Sequence, residues 1–141
     1  MTTLEEFRKR YKYEPNEDLL GEGGFSKVYK AYDVVENRTV ALKFYYGELE
    51  AKYGVLAELN KVTTITHPNL VQYYDALLLQ APSVYDANDR VQVGIIEYIN
   101  SGDLNDFVKT FPDEKTLAKV INDIFNGLAY LHKYGVIHRD I

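Results

Sequence analysis

The amino-acid sequence predicts an α+β fold, in which the strands of a β-sheet come mostly before the main helices along the chain. Two observations lead to this prediction. Five segments within the first hundred residues alternate β-branched and aromatic residues with polar ones, as strands do, and one helical segment lies among them. The last quarter of the chain then has helical periodicity. A doubly wound sheet would need strict alternation of strands and helices, which this order lacks.

The individual elements follow from periodicity and from turn residues. In chain order we expect a short amphipathic helix over 4–12 that ends near Pro15, strands near 16–24, 26–34 and 38–46, a helix over 48–64, strands over 70–79 and 91–99, a short helix within 102–111, and a helix over about 117–134. The loop between the last two strands is long for a hairpin. Gly135 is expected to cap the final helix.

The final helix carries an apolar stripe that needs a partner. Its apolar residues, at three- and four-residue spacing, are Leu117, Val120, Ile121, Ile124, Phe125, Leu128 and Leu131. Such a stripe seldom stays exposed on a soluble monomer. We therefore expect the helix at about 117–134 to fold back onto the strands or to take part in self-association.

Composition narrows the class of protein. The chain has 141 residues, a formal net charge of −5 and no Cys. This charge argues against sequence-independent binding of nucleic acid, which needs a basic surface. No segment approaches the roughly eighteen apolar residues of a membrane span, and the charged N-terminus is unlike a secretory signal. We expect a soluble, cytoplasmic protein with no nucleic-acid or membrane partner.

Gly21, Gly23 and Gly24 lie between two predicted strands, in the segment LGEGGFSKVYKAY. Glycines in such a loop let backbone N–H groups approach phosphate oxygens, because no side chain blocks the approach. A dinucleotide-binding turn would open a helix, and a Walker-type loop would be followed by Gly-Lys-Ser/Thr; neither occurs here. A glycine-rich hairpin without a ligand is the alternative.

Lys43 and Glu58 form a candidate ion pair. Strand periodicity places Ala41 and Lys43 on one face of the predicted strand and Val40 and Leu42 on the other. Glu58 lies among apolar residues in the predicted helix over 48–64, where a buried carboxylate needs a cation. A surface lysine and a solvated helix edge are the alternatives.

Taken in order, seven features resemble the catalytic domain of eukaryotic-type (Hanks-type) Ser/Thr protein kinases. They are GEGGFSKV, VALK, Glu58, HPNLV, IIEYINSGDL, GLAYLH and HRD. The resemblance covers about 16–141 and implies an N-lobe with a five-stranded antiparallel sheet and one main helix, followed by the first helices of a C-lobe. It also implies the domain boundaries: an N-terminal arm at 1–15, an ATP-binding N-lobe and hinge at 16–99, and the start of the helical C-lobe at 100–141.

The resemblance implies ATP-dependent phosphoryl transfer to a protein Ser/Thr hydroxyl, with ATP and Mg²⁺ as cofactors. Lys43 would hold the α- and β-phosphates and pair with Glu58, and Asp140 would orient the substrate hydroxyl and accept its proton. The residues expected around the nucleotide are Leu20, Gly21, Gly23, Phe25, Val28, Ala41, Lys43, Ile96, Glu97, Ile99 and Asp103.

Within that set the resemblance assigns parts of ATP to particular residues. Gly21, Gly23 and Phe25 would cover the phosphates, and Val28 and Ala41 would pack on the adenine. Ile96 would occupy the gatekeeper position, Glu97 and Ile99 would offer backbone groups to the adenine edge, and Asp103 would reach the ribose.

Three features depart from the family pattern. Ser26 replaces the third loop glycine, the 15 positions from Lys43 to Glu58 are fewer than in many relatives, and the family's Mg²⁺ ligands are expected beyond Ile141. We therefore expect residues 1–141 to be inactive alone, as a truncated ATP-binding half of a kinase. The alternatives are a nucleotide-binding or regulatory pseudokinase-like module in which HRD is vestigial, and a structural α+β domain.

Overall fold

The computed structural model describes residues 2–23, 26–45, 61, 63–80, 90–100 and 104–133. Several predictions therefore lie outside the described residues: those for Phe25, Glu58, Asp103, Gly135 and Asp140, and most of the helix expected over 48–64. Of that helix, Lys61 is helical and 63–64 form a turn.

The described helices and strands are, in chain order, β1 (Thr2–Thr3), α1 (Leu4–Arg10), β2 (Tyr11–Lys12), β3 (Leu19–Glu22), β4 (Ser26–Asp33), β5 (Arg38–Tyr45), β6 (Tyr73–Gln80), β7 (Arg90–Glu97), α2 (Leu104–Val108) and α3 (Glu114–Lys133). They belong to two compact units. The strand unit contains the described residues up to Thr64 together with Gln72–Tyr98, and the helical unit contains Ile65–Val71 and the described residues from Ile99 onward.

All the described strands belong to one mostly antiparallel sheet. Its order is β1-β6-β7-β5-β4-β2, and β3 also pairs with β4. Only the short β1 runs parallel to its neighbour, pairing Thr2 with Leu79 of β6. The predicted α+β class is confirmed, and the five expected strands correspond to β3–β7. The sheet is larger than expected because β1 and β2 extend it at its two ends.

One face of the sheet carries the hydrophobic core of the strand unit. Val40, Leu42 and Phe44 alternate along β5 and are buried there. The full cluster consists of Phe7, Tyr11, Tyr29, Ala31, Val40, Leu42, Phe44, Leu79, Val93 and Ile95. Because the side-chain period of a strand is two, Ala41 and Lys43 project from the opposite face.

The N-terminal helix α1 packs into this core. Thr3 and Glu6 form a capping box at its start, with each backbone N–H 3.1 Å from the other residue's side-chain oxygen. The ring centroid of Phe7 lies 6.0 Å from that of Phe44 on β5. The helix ends at Arg10 rather than at residue 12, because Tyr11 and Lys12 pair with β4 instead of continuing the helix.

Arg10 joins this N-terminal segment to the turn between β4 and β5. Its Nε and Nη2 atoms each lie 3.0 Å from an oxygen of Asp33, forming a bidentate ion pair. Asp33 is fully buried and also accepts hydrogen bonds from the backbone N–H groups of Val35 and Glu36. Asn37 then takes a positive φ of 53°, a conformation that suits Asn in a tight turn.

The helical unit is built around α3. This helix starts at Glu114, earlier than expected, because the Asp113 carboxylate accepts a hydrogen bond from the Thr116 N–H at 2.7 Å and caps the first turn. Gly127 is buried on α3 next to Asn69.

Candidate functional site

The strand register gathers several predicted nucleotide-binding residues on one face of the sheet. Gly21 pairs with Val28 across β3 and β4, and Val28 pairs with Lys43 across β4 and β5. Ala41 of β5 pairs with Ile96 of β7. Directly paired residues in antiparallel strands lie on the same face. These residues therefore share the face opposite the core, which we call the Lys43 face.

The glycine-rich segment forms a hairpin at the edge of the Lys43 face. The N–H of Gly23 donates to the carbonyl oxygen of Ser26 at 2.8 Å, which joins the facing ends of β3 and β4. An irregularity in register between Leu19 and Gly21 leaves Leu20 half exposed. A Cβ atom added to Gly21 would have no atom within 4 Å. The backbone of Gly21 is therefore open to a ligand.

Lys43 is partly exposed at the centre of its face. Its Nζ atom lies 5.2 Å from the centroid of the Tyr45 ring. Within the described ranges, no ion pair joins Lys43 to a carboxylate. The predicted partner Glu58 lies outside these ranges.

The side chains of Ala41 and Ile96 form an apolar surface beside Lys43. Each is buried, and Val28 is partly buried next to them. Glu97 follows at the end of β7, where its backbone N–H already donates to the carbonyl of Gln72 at 2.8 Å. The Glu97 carboxylate also accepts a hydrogen bond from the N–H of Gln72 at 3.1 Å. Of the two backbone groups of Glu97, the N–H is thus engaged within the strand unit.

The remaining predicted residues belong to the helical unit or lie outside the described residues. Ile99 belongs to the helical unit and is half exposed. Phe25, Glu58, Asp103 and Asp140 lie outside the described residues. Within the described part of the chain, no group of three or more His, Asp or Glu side chains could hold a metal ion. None of the described helices has both the length and the apolar character needed to cross a membrane.

Sequence reasoning missed two tyrosines on the Lys43 face. Tyr45 follows Lys43 by two positions on β5, and Tyr73 of β6 pairs with Ile96. Burial raises the pKa of both phenols above the ordinary value, and the interaction with Tyr73 raises the pKa of Tyr45 further. The period of two from Lys43 could have indicated Tyr45. The position of Tyr73 depends on a register shift in β6 that periodicity does not reveal.

The Lys43 face combines two kinds of surface. An ammonium lies near a glycine hairpin, an arrangement that suits phosphate groups. The neighbouring Ala41, Val28 and Ile96 present an apolar surface of the kind on which a flat ring packs. Together they suit a ligand that joins a ring system to an anionic chain.

Comparison with known proteins identifies the family. Residues 14–141 match the family described as protein kinase domain. The chain is 33% identical over 129 residues to cell division control protein 7 of Schizosaccharomyces pombe, covering 88% of this chain and 11% of that protein. It is 30% identical over 128 residues to CBL-interacting serine/threonine-protein kinase 12 of Arabidopsis thaliana, covering 87% and 24%.

A bacterial relative has similar identity. The probable serine/threonine-protein kinase PknB of Bifidobacterium longum is 31% identical over 129 residues, covering 87% of this chain and 19% of that protein. The chain thus spans between about a tenth and a quarter of the length of these curated relatives. The family match nevertheless covers nearly all of the chain beyond the N-terminal segment. The chain therefore belongs to the protein kinase family, and its matched segment is part of a protein kinase catalytic domain.

Proposed function

We propose that this protein transfers phosphate from ATP to Ser or Thr hydroxyl groups of a protein substrate, and that the strand unit binds the nucleotide. The observation that carries the proposal is the row Gly21–Val28–Lys43, which brings a glycine hairpin and an ammonium to one face. The Ser/Thr preference is supported by the names of two of the relatives.

Each residue of the Lys43 face has a part in this proposal. Gly21 and Gly23 would cover the phosphates, because the open space at Gly21 admits a close approach of the backbone. Lys43 would neutralise phosphate charge, while Val28, Ala41 and Ile96 would pack on the adenine. Bound ATP supplies the phosphoryl group that is transferred.

The catalytic groups of the proposal extend beyond the described residues. Asp140 would accept the proton of the substrate hydroxyl, and Glu58 would hold Lys43 in place. Glu97, Ile99 and Asp103 would contact the adenine edge and the ribose. Mg²⁺ would neutralise charge at the phosphates, and none of the site residues named above is assigned to hold it.

Nucleotide titration of the purified chain tests the binding half of the proposal. Wild type should bind ATP, and Lys43→Met should weaken binding by about tenfold or more, because a charge contact to phosphate is worth roughly 1.5–3 kcal/mol. Lys9→Met is the matched control: Lys9 is exposed on α1, the helix that packs against the opposite, core face of the sheet. Equal affinities for wild type and Lys43→Met, measured by calorimetry, would contradict the proposal.

The exposed stripe of α3 supports a proposal of self-association. Ile121 and Phe125 are one helical turn apart and are 45% and 65% exposed. Burying them against a second copy would remove apolar area from water. Light scattering should therefore give a mass above that of the monomer, and Phe125→Glu should lower it. A monomeric wild type at high concentration would refute self-association. We place the protein in the cytoplasm, consistent with its lack of Cys.

A further inference from the structure

Tyr45, Tyr73 and Gly94 surround Lys43 on its own face of the sheet. Tyr45 lies two residues after Lys43 on β5 and so projects to the same side. Gly94 of β7 pairs directly with Lys43 across the strands. Tyr73 reaches this face because it pairs with Ile96, which in turn pairs with Ala41.

The absence of a side chain at Gly94 makes room for the Tyr73 ring. A Cβ atom at Gly94 would lie 3.2 Å from Cε1 of Tyr73 and 3.6 Å from its Cδ1 atom. Since 3.2 Å is tighter than ordinary van der Waals contact, any larger residue would push the ring away. The Tyr73 ring thus rests against the position directly opposite Lys43.

The side chains of Tyr45 and Tyr73 interact with each other. Burial raises the pKa of each phenol, and the interaction with Tyr73 raises the pKa of Tyr45 further. Both rings therefore stay neutral at physiological pH, and neither neutralises the Lys43 ammonium. What the pair supplies is a ring of restricted orientation, because Tyr45 is partly buried and Tyr73, its neighbour on this face, is itself held against Gly94.

Lys43 lies against this fixed ring. Its Nζ atom is 5.2 Å from the Tyr45 centroid, within the range of cation–π attraction. A free lysine side chain samples many rotamers, and restricting it to one of them on binding costs conformational entropy, which reduces affinity. A ring that restricts the ammonium in advance lowers that cost.

We propose that Tyr45 and Tyr73 are positioning residues that hold the Lys43 ammonium ready for the phosphates of the nucleotide, with Gly94 providing the space for Tyr73. This inference rests on the proposed nucleotide-binding function. It predicts that substitutions in the pair weaken the binding of ligands that carry phosphates and leave the affinity for other ligands unchanged.

The first experiment compares ATP with adenosine as calorimetric probes of the purified chain. Tyr45→Leu removes the ring and should weaken ATP binding by about two- to fivefold, the size of a partly exposed cation–π contact. Adenosine binding should be unchanged, because adenosine has no phosphate for Lys43. Tyr45→Phe and Tyr73→Phe should each give a smaller loss, and the double variant no more than either single one.

Two further variants separate positioning from general damage to the fold. In a Lys43→Met background, Tyr45→Leu should cause no additional loss of ATP affinity. Tyr74→Phe removes a tyrosine hydroxyl beside the core cluster and should leave ATP affinity unchanged. Equal weakening of ATP and adenosine by Tyr45→Leu, or the same loss without Lys43, would overturn the proposal.

A second measurement needs no nucleotide. The Tyr45 ring should shift the NMR signals of the Lys43 ε-methylene group, which is identified by its disappearance in Lys43→Met. Tyr45→Leu should abolish the shift and Tyr73→Phe should reduce it. Unchanged Lys43 signals in both variants would refute the positioning role. If wild type bound ATP no better than adenosine, the proposed function would fail, while the Lys43 signals would still decide whether the tyrosines position this ammonium.

Discussion

At the scale of single residues, the buried carboxylate of Asp33 is held by the ion pair with Arg10. Burial alone would raise the pKa of Asp33, but hydrogen bonds from the Arg10 guanidinium and from the N–H groups of Glu36 and Val35 outweigh it. The pKa of Asp33 is therefore lowered below the ordinary value. The charged form of Asp33 is favoured in the folded state relative to the unfolded state.

This shift predicts how the free energy of unfolding depends on pH. A lowered folded pKa contributes stability that is complete above the unfolded value of about 3.9, and that is lost as the pH falls through the lower folded value. Urea unfolding from pH 6 down to pH 2 should show this loss in wild type.

Arg10→Met should lower the free energy of unfolding at neutral pH by about 2–3 kcal/mol, because Asp33 loses its charged partner. It should also flatten the acid dependence. Arg8→Met is the control: Arg8 is exposed and only stacks over Tyr13, 5.4 Å from its centroid. Parallel pH curves for wild type and Arg10→Met would show that this pair does not set the acid response.

At the scale of elements, α1 belongs to the strand unit although it precedes the segment that matches the protein kinase family. The match begins at residue 14, whereas Phe7 and Tyr11 are among the largest fully buried side chains. The ring centroids of these two residues lie 4.7 Å apart. The segment before the family match thus covers one face of the sheet with aromatic side chains.

Removing one of these rings should destabilise the strand unit. Phe7→Ala should cost about 3–5 kcal/mol of unfolding free energy, the range for large-to-small changes in a core. Phe111→Ala makes the same change at a residue that is 92% exposed, and should alter stability by less than about 0.5 kcal/mol. Similar melting temperatures for Phe7→Ala and wild type would show that α1 does not stabilise the sheet.

The second packed element is α3, where Gly127 permits close approach of the chain around Asn69. A Cβ atom at Gly127 would lie 3.0 Å from the carbonyl oxygen of Asn69 and 3.2 Å from Cδ2 of Leu70. His67 supports the same contact, because its ring centroid lies 4.6 Å from that of Tyr130. The Nδ1 atom of His67 also accepts a hydrogen bond from the Asn69 N–H at 3.0 Å.

A larger side chain at Gly127 should therefore separate α3 from this segment. Gly127→Leu should destabilise the helical unit by about 1–3 kcal/mol, as overpacking does in cores. Asn126→Leu places the same side chain at an exposed neighbouring position of the helix and should have little effect. Thermal unfolding followed by the far-UV signal measures both; equal midpoints would contradict the close packing at Gly127.

At the scale of the whole molecule, the chain contains a strand unit and a helical unit of a protein kinase catalytic domain. The Lys43 face belongs entirely to the strand unit. The proposed function therefore divides into two parts that can be tested separately. Binding of nucleotide is assigned to the Lys43 face, while transfer of phosphate would also need Asp140 and metal ligands.

We expect the 141-residue polypeptide to bind ATP without transferring phosphate. Phosphoryl transfer depends on metal ions that neutralise charge at the phosphates, and none of the predicted site residues is assigned to a metal ion. Incubation with radiolabelled ATP, Mg²⁺ and a generic protein substrate should give no labelled product. Transfer that disappears in Lys43→Met would show that this polypeptide is active alone.

The sequence by itself determined the fold class, the family and the side of β5 from which Lys43 projects. These depend on short-range patterns: the period of two along a strand, the helical stripe of α3, and motifs in a fixed order. The sequence also predicts the helix at 4–12, although in the structure this helix ends at Arg10. Such features are set by neighbouring residues, so a single sequence reveals them.

Only the tertiary structure decided which distant residues meet. Arg10 and Asp33 are 23 positions apart, and no local pattern links them. The contacts of Tyr73 depend on a register shift in β6, and those of Gly94 on the pairing of β7 with β5. Strand register is fixed by packing of the whole sheet, since a slip of one residue exchanges the two faces. The partners of Lys43 on its own face are for that reason a property of the folded sheet.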